Sequence, residues 1–407
     1  MEKKLTIFKR KQAQKLYYES GWSIRKIARF LSAGRDNVKR WIKMKPEDIE
    51  KDKRGWPKGK RRKYTNEQEE RILKIRKELT ENESFFWGNE IILHNYISQT
   101  GEKVSLWFID SVLRQRQLVN KRKNKRKGGS KHMNYPSHTV NKLGRCMMSL
   151  DFIGPKYLEG SSNKINFLSC KYVRPIKLGI VRKVSGQTTQ EVIRTVSDIW
   201  DKYYVPHVVK MDNDSAFGGN LSHKESIGRF TLFLLNLGVK PLYIAPRHPW
   251  NNSEVEGFNN VFSKKFWNRL KFENEEELDI KINEFNMEYE KYVQVIMAKD
   301  MENELASLKK LSHYKDVDIT NNKVKHFKEN HIYFIRKVRR EGKKGSNEEK
   351  GVIVILGRKI TLKPDLINLF VFCDLSLTDQ KLYVYTEIDG ELHKEKVLKY
   401  VIKNVVY

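Results

Sequence analysis

The sequence predicts a multidomain α/β protein with an all-α N-terminal part, an α/β core and a C-terminal module of short β segments. Three observations predict it. Helical periodicity runs through residues 7–44 and again through residues 64–117. From residue 143 the apolar runs alternate between strand and helix spacing, and beyond residue 330 short β runs dominate. The 407 residues are enough for several cores, and 39% hydrophobic content is compatible with each of them folding.

Charge narrows the class of partner. Eighty Lys plus Arg against fifty Asp plus Glu give a formal net charge of +30, so the surface attracts polyanions, and double-stranded DNA is the expected one. The excess is uneven, because residues 1–140 hold 36 Lys plus Arg and 16 Asp plus Glu, two thirds of the net charge. Cys146, Cys170 and Cys373 are too few and too far apart for a disulfide framework or a zinc site. No signal-peptide pattern opens the chain and no apolar run has the length of a membrane span, so a soluble cytoplasmic protein without membrane contact is expected.

In chain order, residues 1–45 carry a helix-turn-helix pattern. Leu16 and Tyr17 lie in a first helix, and Gly21 and Ser23 punctuate before a second with Ile24, Ile27, Ala28 and Leu31 on one face. The turn Ser32-Ala33-Gly34 leads to a third, with Val38, Trp41 and Ile42 inward and Arg35, Asn37, Lys39 and Arg40 exposed for base edges or phosphates. Plain helical hairpins share the spacing; the basic outer face favours DNA. Residues 46–63 lose periodicity and form a basic linker, in which Arg54, Lys58, Lys60, Arg61 and Arg62 surround a Gly55-Trp56-Pro57 step and either follow a groove or stay solvated. Over residues 64–120 a second helix-turn-helix unit is expected, opened by a Thr65/Gln68 capping box and with Ser105 capping its last helix. Residues 121–142 are a second basic linker.

The core spans residues 143–272. Strands are predicted at 146–152, 164–169 and 173–181, a helix at 188–203, a strand at 207–211, a helix at 230–237, a strand at 242–244 and a long helix at 253–270. Three strands, then helix, strand, helix, strand, helix, is the order of an RNase H-like core. A helical connector follows over 273–325, with Leu278, Ile282 and Phe285 at core spacing. Residues 326–407 suit a small β-barrel, its last hairpin turning at Asp389-Gly390.

Asp151 and Asp212 each end an apolar run, and Glu256 lies near the start of a helix in HPWNNSEVEGFNN. Two carboxylates at strand ends and one at a helix start are what a site for two divalent cations requires. Each also has an ordinary reading: a strand-end Asp, a turn Asp, and a Ser253-x-x-Glu256 capping box. Asp214 and Glu254 compete as acids, although Glu254, two residues from Glu256, points elsewhere on a helix. Asn213 and Asn252 suit the ordering of adjacent turns, and Lys264, two turns beyond Glu256, suits a DNA phosphate.

Asp151 in LDFIG, Asp212-Asn213 in MDNDSAF, and His248, Pro249, Asn252, Val255, Glu256, Phe258 and Asn259 in HPxxNxxVExFN resemble the core of DDE transposases. The similarity points to bacterial insertion-sequence enzymes with a retroviral-integrase-type, RNase H-like core. It covers residues 143–270 by motif, and the flanking helical units and β module fit the family's layout. Asp214 stands where the family has Gly, Gly257 where it has Arg, and 43 residues lie between Asp212 and Glu256, more than is usual. The surplus falls in residues 218–226, which read as a loop.

The resemblance implies two Mg²⁺ or Mn²⁺ ions held by Asp151, Asp212 and Glu256. It also implies hydrolysis at transposon 3′ ends, joining of those ends to target DNA, terminal inverted repeats as ligands, a homodimer or larger assembly, and a nucleoid-associated bacterial setting. Hard oxygen donors suit these ions, and the scattered His and Cys argue against zinc. Two alternatives remain: a domesticated, catalytically silent DNA-binding descendant, and an RNase H-type nuclease.

Overall fold

Gly21, at φ +64°, ends one helical run and Ser23 opens the next by accepting a hydrogen bond from the Lys26 amide, as its residue type favours. The computed structural model describes residues 2–50, 64–119, 135–218, 224–297 and 327–406. It divides into two units, Met1–Glu69 and Glu70–Tyr407. In the first, α1 (Glu2–Tyr18), α2 (Ile24–Phe30) and α3 (Arg35–Ile42) bury Ala13, Ile27, Ala28, Leu31, Val38, Trp41 and Ile42 together. A fourth helix, α4 (Pro46–Ile49), lies inside the expected linker and moves the boundary at residue 45 outward. Pro46 at its start and Glu47 and Asp48 in its first turn suit a helix N-terminus, and Arg10 donates to the Ile49 carbonyl at 2.9 Å.

The expected capping box forms: Thr65 and Gln68 exchange side chain to backbone hydrogen bonds at 3.1 and 3.3 Å ahead of α5 (Asn66–Glu81). α6 (Asn89–Thr100) and α7 (Leu106–Gln115) follow, with Ser105 accepting from the Phe108 amide. Residues from 70 onward do not stand apart as the separate 64–120 unit that the sequence predicts. Phe85 and Phe86, between α5 and α6, belong to the main core, and the Ser84 hydroxyl and Phe85 amide both donate to Glu288 at 2.8 Å.

After a short helix, α8 (Ser137–Lys142), the main sheet begins with β1 (Met147–Lys156), β2 (Ile165–Arg174) and β3 (Gly179–Val184), all antiparallel. The predicted break near residue 170 is absent, because β2 runs unbroken to the turn at Pro175. α9 (Thr189–Lys202) leads to β4 (Val208–Met211), parallel to β1. A short β5 (Ser226–Gly228), α10 (Arg229–Leu237) and β6 (Lys240–Tyr243) follow, with β6 parallel to β4. Strand alternation sends Met148 and Tyr172 to the face bearing α9, where Trp200 donates to the Met148 sulfur. Ser149, Asp151, Ser169 and Lys171 face the other side. There α11 (Ser253–Phe262) and α12 (Glu275–Met297) pack, Lys171 donating to the Tyr289 hydroxyl at 2.6 Å. Asn286 of α12 pairs through both side-chain atoms with the Val181 backbone on the outer edge of β3, at 2.9 Å each, which covers an otherwise open strand edge.

The C-terminal strands do not close into the separate barrel expected over 326–407. β7 (His331–Lys337) pairs in parallel with β6, then β11 (Phe370–Ser376), β12 (Lys381–Ile388) and β13 (Glu391–Lys399) extend the same sheet, giving the order β13-β12-β11-β7-β6-β4-β1-β2-β3. β8 (Arg339–Glu341), β9 (Lys350–Ile355) and β10 (Arg358–Leu362) form a second, three-stranded sheet, and β14 (Asn404–Val406) returns to pair with β5. The β12–β13 turn is at Asp389-Gly390, both at positive φ, as such a hairpin demands. The physical reason for the extension is that β6 would otherwise end the parallel core with an open edge.

Gly179 at the start of β3 admits α11. A β-carbon there would meet the Phe258 ring at 2.5 Å. Gly179→Val should therefore cost about 1–3 kcal/mol by overpacking, lowering the melting temperature by roughly 2–4 °C per kcal/mol. Calorimetry of the full chain checks this; an unchanged melting temperature would mean that the helix does not seat on Gly179.

Candidate active site

The parallel pairing of β1 with β4 brings Asp151 and the turn after Met211 to the same region, and α11 crosses β1 beside them. Asp151, Asp212, Asn213, Asn252 and Glu256 line one cavity of about 500 Å³, closed further by Asp214, Ser215 and the segment from Ile244 to His248. Three carboxylates far apart in sequence thus share one space.

Asparagines fix these elements to each other. The Asn252 amide donates to the Leu150 carbonyl at 3.1 Å, and Asn259, one turn beyond Glu256, donates to the Asp151 carboxylate at 2.7 Å. Asn213 donates to the Ile244 carbonyl at 2.7 Å and accepts from Arg336 of β7 at 2.8 Å. Sequence reasoning assigned no role to Asn259, although its i+3 spacing from Glu256 puts both on one helix face. It also missed Arg336, whose signal is a charged residue in the middle of the apolar run HIYFIRKV.

The competing acids each have a partner of their own. Glu254 pairs with the buried Lys210 at 2.7 Å. Asp214 accepts from the Ala216 amide at 2.8 Å and caps the turn Ser215–Phe217, while its own amide donates to Asp212 at 2.9 Å. The expected Ser253 cap does not form. A 3₁₀ turn over Pro249–Asn252 runs directly into α11, so Asn252 holds the cap position and Ser253 is already helical at φ −54°. The Glu256 carboxylate has no hydrogen-bond partner among the described residues. Gly257, where the family has Arg, faces open space.

Burial, reinforced by the nearby charges of Asp212 and then Glu256, pushes the Asp151 carboxyl up to about 7 against the opposing Phe152 and Asn259 hydrogen bonds. Asp212 is also raised, chiefly by burial. Burial works to raise Glu254 as well, but the Lys210 ammonium outweighs it and holds this acid low. Burial lowers the Arg336 guanidinium to about 10, which still leaves it charged at neutral pH.

The donor set fits hard divalent cations. Besides three carboxylates, the Asn252 and Asn259 side-chain oxygens are buried without a hydrogen-bond partner, both on the helix face that bears Glu256. Among the described residues no three His, Cys, Asp or Glu side chains close around a single ion position. A two-ion arrangement would ask less of each position, and Asp151, which feels the charges of both other acids, is the residue that could be shared. The three cysteines are buried and unpaired.

Arg35, Asn37, Lys39 and Arg40 are exposed on α3 in the first unit, with Arg40 donating to Asn37 at 3.1 Å. Arg54, Lys58, Lys60, Arg61 and Arg62 lie outside the described residues. Lys264 is exposed in the π-helical turn Ser263–Trp267 that continues α11, and it is not part of the acidic cavity. Arg247, at φ +62°, lines that cavity. No helix of the described residues is long and apolar enough to cross a membrane.

No protein-family model matches the chain. No curated protein matches it either. Among solved structures, the chain is similar to one in the cryo-EM structure of a simian T-cell lymphotropic virus intasome in complex with PP2A regulatory subunit B56 gamma. The match has a TM-score of 0.30 and 10% identity, and covers 68% of this chain and 93% of the other. A similarity of that size carries no argument about either fold or function.

Asp151 carries a pH signature. Its folded pKa lies above its unfolded value, so its contribution to stability is complete below about 4 and is lost as pH rises through about 7. In chelator, Asp151→Asn should melt higher than wild type at pH 8, with the gap closing toward pH 4. Thermal melts across that range test it, and a gap independent of pH would remove the account by burial and neighbouring charge.

Proposed function

We propose that this chain is a DNA transposase of the DDE type, resembling those of bacterial insertion sequences. The observation that carries the reading is the convergence of Asp151, Asp212 and Glu256, from β1, the end of β4 and α11, in one cavity. The strand order β3-β2-β1-β4-β6 with helices on both faces is that of an RNase H-like core, and it supports the same reading.

Asp151, Asp212 and Glu256 would hold two Mg²⁺ or Mn²⁺ ions, which when bound supply charge neutralisation at the attacking and leaving oxygens of phosphoryl transfer. The chain's own residues do the rest. Asn259 holds the Asp151 carboxylate, the Asp214 amide holds Asp212, and Asn252 fixes the helix that carries Glu256. Arg247 at the cavity wall offers positive charge to a DNA phosphate. Water first breaks a phosphodiester at the transposon end and leaves a free 3′-hydroxyl. That hydroxyl then attacks a target phosphodiester in the same cavity, displacing a target 3′-oxygen. α3 presents Arg35, Asn37, Lys39 and Arg40 for major-groove recognition of the terminal repeats. Joining two ends calls for at least a homodimer.

Strand joining on a labelled transposon end with Mg²⁺ or Mn²⁺ tests the proposal. Glu256→Gln should abolish joining with end binding intact, a loss of at least about 10³-fold if the acid acts on the transition state. Glu254→Gln, which removes only the partner of Lys210, should keep joining within a few fold. Retained joining in Glu256→Gln would sink the assignment, and end binding without joining in the wild type would favour a silent DNA-binding descendant.

A further inference from the structure

Arg336 is 5% exposed on β7, the last of five consecutive buried residues. Its guanidinium donates to the Val354 carbonyl at 2.9 Å, to the Ile335 and Ile244 carbonyls at 2.9 Å, and to the Asn213 side-chain oxygen at 2.8 Å. All four acceptors are uncharged. A buried cation without a carboxylate partner is costly, and an apolar side chain of similar volume commonly serves packing as well or better. What the charge and its fixed fork achieve here is placement. One arm reaches the carbonyl that Asn213 also grips, a second reaches Asn213 itself, and a third reaches β9 of the second sheet. Asn213 directly follows Asp212, whose carboxylate lines the acidic cavity.

We infer that Arg336 is a positioning residue for the Asp212 turn, acting through Asn213, and that the C-terminal strands are therefore part of the candidate active site. The inference rests on the cation-binding reading above. Removing the guanidinium frees Asn213 to rotate, so the Asp212 carboxylate loses its fixed direction toward the cavity. Partners one step removed from a metal ligand typically matter by roughly 10- to 100-fold in affinity or activity.

The test uses the full chain and Mn²⁺ itself, with free Mn²⁺ counted by electron paramagnetic resonance at a temperature where each variant is folded by circular dichroism. Arg336→Gln and Asn213→Ala should each weaken Mn²⁺ binding by roughly 10- to 100-fold, and the double variant should be no weaker than the worse single one. Arg358→Gln removes a contact with Glu225 at the junction of β5 and β14, away from Asn213. It should lower the melting temperature without changing Mn²⁺ affinity. Wild-type affinity in Arg336→Gln, with only a lower melting temperature, would overturn the inference, as would additive losses in the double variant. If Arg336→Gln does not fold, Asn213→Ala decides, and wild-type affinity there overturns it. If Asp212→Asn binds Mn²⁺ as wild type does, the cation site itself is misassigned and the inference falls with it.

Discussion

Burial of neighbouring carboxylates is the constraint around which the candidate site is arranged. Asp151, Asp212 and Glu256 face one cavity, and burial together with mutual repulsion raises the Asp151 carboxyl to about 7. A surface cluster would relieve such repulsion by swinging side chains apart. Here the three acids come from a strand, a strand end and a helix, each fixed by its own contacts. Of the two further acids nearby, Glu254 is neutralised by the ammonium of Lys210, whereas Asp214 lines the cavity and adds its charge to the push on Asp212, against the hydrogen bond from its own amide.

Holding those elements together extends well beyond the five core strands. β6 would end the core as an open edge; β7 pairs with it and carries the sheet on to β13. The same junction places the Arg336 guanidinium against the turn after Asp212. On the other side of the core, β14 pairs with β5, and Glu225 between them meets both Arg358 and Lys403. The C-terminal strands are thus tied to the core at two separate places.

Much of the core was legible, because it rests on local signals. Apolar alternation located β1 and β4, helical spacing located α9, α10 and α11, and the acids sit at the element ends where polar residues interrupt apolar runs. The capping-box alternative at Ser253 does not form, since Pro249 starts a 3₁₀ turn that makes Ser253 helical and moves the cap back to Asn252. α4, at four residues, is too short to show a period. The pairing of β7 with β6 was out of reach for a different reason. HIYFIRK has the same pattern of buried residues whether its neighbour is a strand of a barrel or one 90 residues earlier in the chain. Phe85 and Phe86 likewise read as part of an independent helical unit, and only the fold shows that their partners are on α12.

The segment HPWNNSEVEGFNN gains a sharper physical meaning from its asparagines. Asn252, Glu256 and Asn259 recur at i, i+4 and i+7, a single stripe along α11. The first grips the β1 backbone at Leu150 and the last grips the Asp151 side chain, so Glu256 is bracketed by two contacts to the same strand. Rotation of the helix by one residue, about 100°, would break both at once. Sliding it along its axis would break them too. The position of Glu256 relative to Asp151 is therefore set by the strand rather than by the helix's own cap. Gly257 projects from the stripe into open space, and neither asparagine contact passes through it.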